Sequence, residues 1–164
     1  MTNVKKFHRR VLREKCLQIL YAYEMQGEGL TLISEGILSD IVNFRDRDFV
    51  NQIVNRVVAN TDQLDEFIKE RVNNWEMDRI ALIDKLLLRI GIAELLYFTD
   101  IPPKVSINEV IEIAKDYSTS KSGKFLNGIL DAVLSDLKEK GILKKAGRGL
   151  VDQSLPRRSS NPEE

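Results

Sequence analysis

Between Asp78 and Phe98 the chain carries Ile80, Leu82, Ile83, Leu86, Leu87, Leu88, Ile90, Ile92, Leu95 and Leu96, so at 3.6 residues per turn apolar side chains point in nearly every direction. A helix of that kind has to be surrounded by others, and it predicts a centre around which the rest of the chain packs. Asp84, Lys85, Arg89 and Glu94 interrupt these 21 residues. Each charge costs kilocalories in hydrocarbon, so the segment is no membrane span. Inside a protein core, Arg89 and Glu94 need partners, and Asn108, Glu109 and Glu112 on the next helix are placed to serve.

The following stretch reads as two helices. Pro102 and Pro103 close what precedes them, and Ser106 with Glu109 forms an S-x-x-E pattern that predicts a helix beginning near Ser106. Ile107, Val110, Ile111, Ala114 and Tyr117 then share one face. Ser118 to Gly123 is small and polar, and the periodicity restarts with Leu126, Ile129, Leu130, Val133, Leu134 and Leu137. Gly141 stands where a helix C′ glycine belongs. At the head of this last helix are Lys124 and Phe125. The Phe125 ring lies about one residue's rotation from the apolar stripe, which leaves two readings open: a ring at the rim of the core, or one pointing outward beside a cation.

Residues 1 to 15 hold Lys5, Lys6, Arg9, Arg10, Arg13 and Lys15 against Glu14 alone. Lys6, Arg9, Arg10 and Arg13 fall on one helical stripe, while Leu12, Cys16, Ile19, Leu20 and Tyr23 make another, roughly a right angle away. Such a helix can bury its apolar face and offer guanidinium groups to phosphate, although a merely solvated basic face fits the same spacing. Cys16, on the apolar stripe, reads as a small hydrophobe. His8, the single histidine, has no partner for a metal site, and its place among cations suits a phosphate contact. Gly27 and Gly29 end this helix. Leu30, Ile33, Ile37, Ile41 and Phe44 predict a second, and Phe49, Val50, Ile53, Val54, Val57 and Val58 a third. Thr61 or Asp62 is placed to cap a fourth bearing Leu64, Phe67, Ile68 and Val72, which Trp75 ends. From Ala146 to Glu164 the apolar spacing fades, and a disordered tail is expected.

With 43% hydrophobic residues in 164, the chain can fill one core. Lysine plus arginine equals aspartate plus glutamate at 25 each, so only the distribution of charge can point to a polyanion. One cysteine excludes an intrachain disulfide, and no apolar run or signal-type block stands out, which sets the expectation of a cytoplasmic protein. No nucleophile with a base, metal-ligand spacing or glycine-rich cradle is evident. The expectation is therefore a protein without catalysis, cofactor or metal.

Four segments carry a resemblance. K-V-S-I-N-E-V-I-E-I-A-K (Lys104 to Lys115), K-F-L-N-G-I-L-D (Lys124 to Asp131), D-K-L-L-L-R-I-G-I-A-E-L (Asp84 to Leu95) and R-E-K-C-L-Q-I-L-Y (Arg13 to Tyr21) resemble the NusB family of bacterial transcription antitermination factors, over about residues 5 to 140. The resemblance implies an all-α fold of about seven helices within 1–145, in two packed subdomains (1–60 and 61–145), with 146–164 as the tail. It implies pairing with NusE, a small-subunit ribosomal protein, and joint binding of boxA, a single-stranded element of nascent ribosomal RNA, in the antitermination complex of RNA polymerase. Lys6, Arg9, Arg10, Arg13, Lys124 and Phe125 are the residues expected to meet RNA, and Tyr21 and Asp84 those facing NusE. Asp84 stands where many relatives have glutamate, and Gly123 where relatives vary. Two other readings share the helical pattern. A protein-only adaptor has no need of clustered arginines beside a stackable ring. An RNA-recognition domain like that preceding some ribosomal RNA methyltransferases would be joined to a Rossmann-like domain, and no strand and helix alternation follows.

Overall fold

The computed structural model describes the backbone of residues 2–153 and the side chains of residues 8–73 and 76–150. Eight α-helices occur among the described residues: α1 (Thr2–Gln26), α2 (Leu30–Ile37), α3 (Phe44–Ala59), α4 (Thr61–Lys69), α5 (Asn74–Arg79), α6 (Leu82–Tyr97), α7 (Pro103–Tyr117) and α8 (Ser122–Glu139). A 3₁₀ turn over Gly147–Gln153 follows. The all-α expectation is met, with α6 at the centre: Asp84 and every residue from Leu86 to Leu95 are buried, and α1, α3, α4, α7 and α8 pack around it. Gly91 permits the closest approach. A Cβ there would stand 3.0 Å from Leu130 and 3.4 Å from Val110, so any larger residue would wedge α6 away from α7 and α8.

Several boundaries differ from those read in the sequence, for local reasons. Helix α7 begins at Pro103, whose fixed φ and missing N–H suit the first helical position, and no side chain caps it. Ser106 and Glu109 are thereby a turn inside the helix and face inward, where they bind Glu94 and Arg10 rather than forming a capping box. Helix α2 stops at Ile37, and Phe44 opens α3 with its ring 80% exposed, because Asn43 accepts hydrogen bonds from the N–H groups of Arg45 and Asp46 and starts a new helix there. Thr61 caps nothing: its hydroxyl turns back to the Val57 carbonyl at 2.8 Å. The eighth helix is α5, opened by a reciprocal cap between Asn73 and Glu76, in the segment read as ending at Trp75. At the far end of α8 the N–H groups of Gly141 (φ 65°) and Ile142 return to the carbonyls of Lys138 and Leu137, the C′ glycine arrangement expected.

The buried charges of α6 are paired, but not with the residues anticipated on α7. Arg89 holds Asp65 of α4 in two hydrogen bonds of 2.8 and 2.9 Å, and Glu94 takes Arg13 of α1 and Ser106 of α7. Nor is the segment after Ala146 without structure where it is described. The Ala146 N–H donates to the Thr99 carbonyl at 3.0 Å, and Gly149 lies so close that an added Cβ would be 2.1 Å from that oxygen. Lys145 Nζ donates to the carbonyls of Glu94 and Phe98, a cation at the C-terminal end of α6. Residues 154–164, the remainder of the expected tail, lie outside the described residues.

Candidate nucleic-acid interface

The basic stripe of α1 divides as the helix is packed between α3, α6 and α7. Arg13 is at its middle and points at α6. It is 1% exposed, and its Nε and Nη2 donate to the two Glu94 oxygens at 2.9 and 2.7 Å. Burial works against the Arg13 charge, but the Glu94 carboxylate more than offsets it and its pKa is raised. Arg10 turns to α7 and makes a second fork with Glu109, at 2.8 and 3.0 Å, leaving the guanidinium partly exposed; that hydrogen bonding raises its pKa. Arg9 turns to α3 and is exposed, its guanidinium carbon 4.6 Å from the centroid of the Phe49 ring. Phe49 in turn meets Phe98 edge-on at 6.2 Å. Of the three described arginines, Arg13 is thus not available to a ligand in solution. Lys6 is in α1, with its side chain outside the described residues. His8 pairs with Asp46 of α3 at 2.6 Å. Cys16 is fully buried, and burial pushes its thiol pKa far up, which makes it inert.

Helix α1 runs parallel to α7. Arg10 meets Glu109, and eight residues further along both helices Gln18 Nε2 donates to the Tyr117 hydroxyl at 3.1 Å. At 1.5 Å per residue these contacts are about 12 Å apart. The arginines therefore lie alongside the middle of α7, and the α7–α8 link lies beyond its end. Tyr21, one turn past Gln18, is 40% exposed towards that same end. The two basic features seen in the sequence therefore lie on different elements, one on α1 and one at the start of α8.

Past the end of α7 the structure opens into a cleft of about 790 Å³, lined by α5, the start of α6, the α7–α8 link and the first half of α8. Phe125 lines it and is 40% exposed, and Lys124 beside it is exposed, so of the two readings of this ring the outward one is observed. The Ile129 stripe is core and the ring is not. Asp84 also lines the cleft, and is no rim residue: it is 7% exposed and accepts a hydrogen bond from Ser122 Oγ at 2.9 Å. Arg71, held by Asp136 of α8, and Arg79 complete the basic lining. Sequence reasoning placed Phe49 in the apolar pattern of the third helix, and it does pack partly buried against the core, but its role as a platform for Arg9 was missed, as were the Ser118, Thr119 and Ser122 hydroxyls. A polar link rich in hydroxyls was visible, but nothing local paired it with Asp84, 38 residues away. Among the described residues no cluster of His, Cys, Asp and Glu is arranged to hold a metal, and no helix is long and apolar enough to cross a membrane.

Comparison with known proteins agrees with this architecture. The NusB family model matches residues 10–135. A relative in Chloroherpeton thalassium, named transcription antitermination protein NusB, is 50% identical over 157 residues, covering 94% of this chain and 74% of its own. The NusB structure of T. maritima superposes with a TM-score of 0.74 at 35% identity, covering 82% of this chain and 97% of that one. A crystal structure of the antitermination factors NusB and NusE with double-stranded RNA has the same fold, with a TM-score of 0.71 at 24% identity, covering 79% of this chain and 97% of that one. Sequence match, fold and the placement of the motif residues lead to one conclusion: the chain belongs to the NusB family.

Proposed function

We propose that this protein is a transcription antitermination factor that binds boxA-type single-stranded RNA of nascent ribosomal transcripts together with NusE, as a binding protein without chemistry of its own. The observation that carries the reading is the pairing of exposed cations with rings at two places, the Arg9 guanidinium held on Phe49 of α3 and Lys124 beside the exposed Phe125 at the start of α8. Arginine and lysine neutralise phosphates and an exposed ring stacks on a base, which is the combination single-stranded RNA requires. Arg9, Arg10, Lys124 and Phe125 are the assigned contacts, with Lys6 at the start of the same stripe. Arg13 serves by anchoring α1 to α6. The names of the relatives and the NusB–NusE–RNA neighbour support the reading. Tyr21 is the exposed member of the pair expected to face NusE, and Asp84 is the recessed one.

The test is a titration of labelled boxA-type RNA with the protein alone and with NusE. Saturable binding, tightened by NusE and weakened by salt, is expected. Binding of NusE with no RNA affinity in either form would leave a protein-only adaptor.

A further inference from the structure

The C-terminal segment is fastened at the arginine end of α1. Arg13 meets Glu94; four residues on along α6 the Phe98 ring touches Phe49, and four residues back along α1 Arg9 rests on that same ring. Thr99 follows Phe98 directly, and here the segment docks. Lys145 donates to the Glu94 and Phe98 carbonyls, the Ala146 N–H donates to the Thr99 carbonyl, and the 3₁₀ turn packs on α7. This corner precedes the first residue of α7, Arg10 stands at the middle of that helix, and Lys124 lies past its last residue.

Packing accounts for the two glycines of the turn but not for the residue between them. Gly147 takes φ 57°, and Gly149 is buried with no room for a side chain against the Thr99 carbonyl. Arg148 is exposed and pairs with no acid among the described residues. Asp100, at this corner, acts on Lys145 instead. From Lys144 to Ser160 the sequence carries Lys144, Lys145, Arg148, Arg157 and Arg158 against Asp152 alone. Gathering such charges beside Arg9 builds a mutual repulsion that a polyanion relieves. Arginine set among glycines is also a composition that follows a single-strand backbone without reading its bases.

We propose that the C-terminal segment is a basic arm of the RNA interface, in which Arg148 holds a phosphate just past the nucleotides at Arg9, and Arg157 and Arg158 hold phosphates further outward. The proposal rests on the RNA-binding reading above and lengthens its footprint, so that the strand meets the arm, then α1, then the head of α8. Arg157 and Arg158 follow Gln153 by four and five residues, a reach of at most about 18 Å of extended chain. Contacts to phosphate add affinity and salt dependence without base preference.

The test compares wild type with Arg148→Ala, and with Arg148, Arg157 and Arg158 all changed to alanine, on an RNA oligonucleotide that the wild-type protein binds. The single variant flattens the dependence of log K on log salt by about 0.7 and the triple variant by about 2, with urea midpoints unchanged. Shortening the RNA from one end first removes the difference between wild type and the triple variant. Shortening it further from that end removes the effect of Arg9→Ala before that of Lys124→Ala. An unchanged salt slope in the triple variant, while Arg9→Ala still flattens it, overturns the arm and leaves RNA binding intact. Loss of the arm's effect on shortening from the end held at Lys124 overturns its placement beside Arg9. If the triple variant binds RNA as wild type does but NusE less well, the segment serves the protein partner and the RNA role is rejected. Wild-type protein that binds no RNA, with or without NusE, overturns both readings.

Discussion

The Arg13 guanidinium and the Glu94 carboxylate, 81 residues apart, are joined by two parallel hydrogen bonds of 2.9 and 2.7 Å, with both side chains out of water. Removing one partner strands the other. Arg13→Ala is expected to cost on the order of 3 to 5 kcal/mol of fold stability, read as a fall in the urea midpoint. RNA affinity of the fraction that remains folded should change little. An Arg13→Ala protein of normal stability that has lost RNA binding would make Arg13 a ligand contact instead.

Arg9 and Lys124 behave oppositely. Both are exposed, so replacing either by alanine should leave stability within about 1 kcal/mol. Each substitution should flatten the dependence of log K on log salt by about 0.7, the value for one lost phosphate contact on a single strand. Because the two stand on different helices, α1 and α8, their effects should add. Unchanged slopes in both variants would mean a solvated basic face.

Phe125→Ala separates stacking from packing. A buried phenylalanine truncated to alanine costs about 3 to 5 kcal/mol of stability, and this ring is 40% exposed. Stability should therefore fall by much less. Loss of one stacked base should weaken RNA binding by about 1 to 3 kcal/mol with the salt slope intact. Denaturant unfolding and RNA titration of the same preparation check both.

The segment from Lys145 onward should contribute to stability, contrary to what its composition suggests. Ending the chain at Lys144 removes the ammonium that donates to the Glu94 and Phe98 carbonyls, a loss of about 1.5 to 3 kcal/mol for hydrogen bonds to a charged donor. The Lys145 pKa is pushed down from 10.5 to about 8, chiefly by burial, with Glu94 and Asp100 acting against the fall. Between those two values the unfolded chain binds more protons than the folded one, so stability from this group rises with pH across that window and is flat below it. The stability difference between wild type and Lys145→Met should accordingly grow in favour of wild type from pH 7 to pH 9.5. A constant difference would place the Lys145 titration outside the window.

The class of fold was legible in the sequence. Apolar residues on every face of the segment from Leu82 to Leu96 can be buried only by a surrounding shell of helices, and the stripes that flank it have helical period. Local chemistry was legible too, as in the Gly141 cap, because it depends on residues within one turn. Phe125 was legible in part: its rotation off the stripe narrowed the choice to two, and packing chose the outward one. What required the tertiary structure were pairings over long separations. A stripe of four basic residues looks uniform in projection, yet α6 puts Glu94 opposite only its middle, so Arg13 becomes an internal strut while Arg9 remains outside on Phe49. Ser106 and Glu109 fit a capping box by spacing, but Pro103 starts the helix a turn earlier and buried partners take both side chains. Asp84 looks like any helix carboxylate until the α7–α8 link brings Ser122 to one of its oxygens and nothing to the other. Periodicity records which direction a side chain points along its own helix; what it meets there is decided by other helices, whose approach no local pattern encodes.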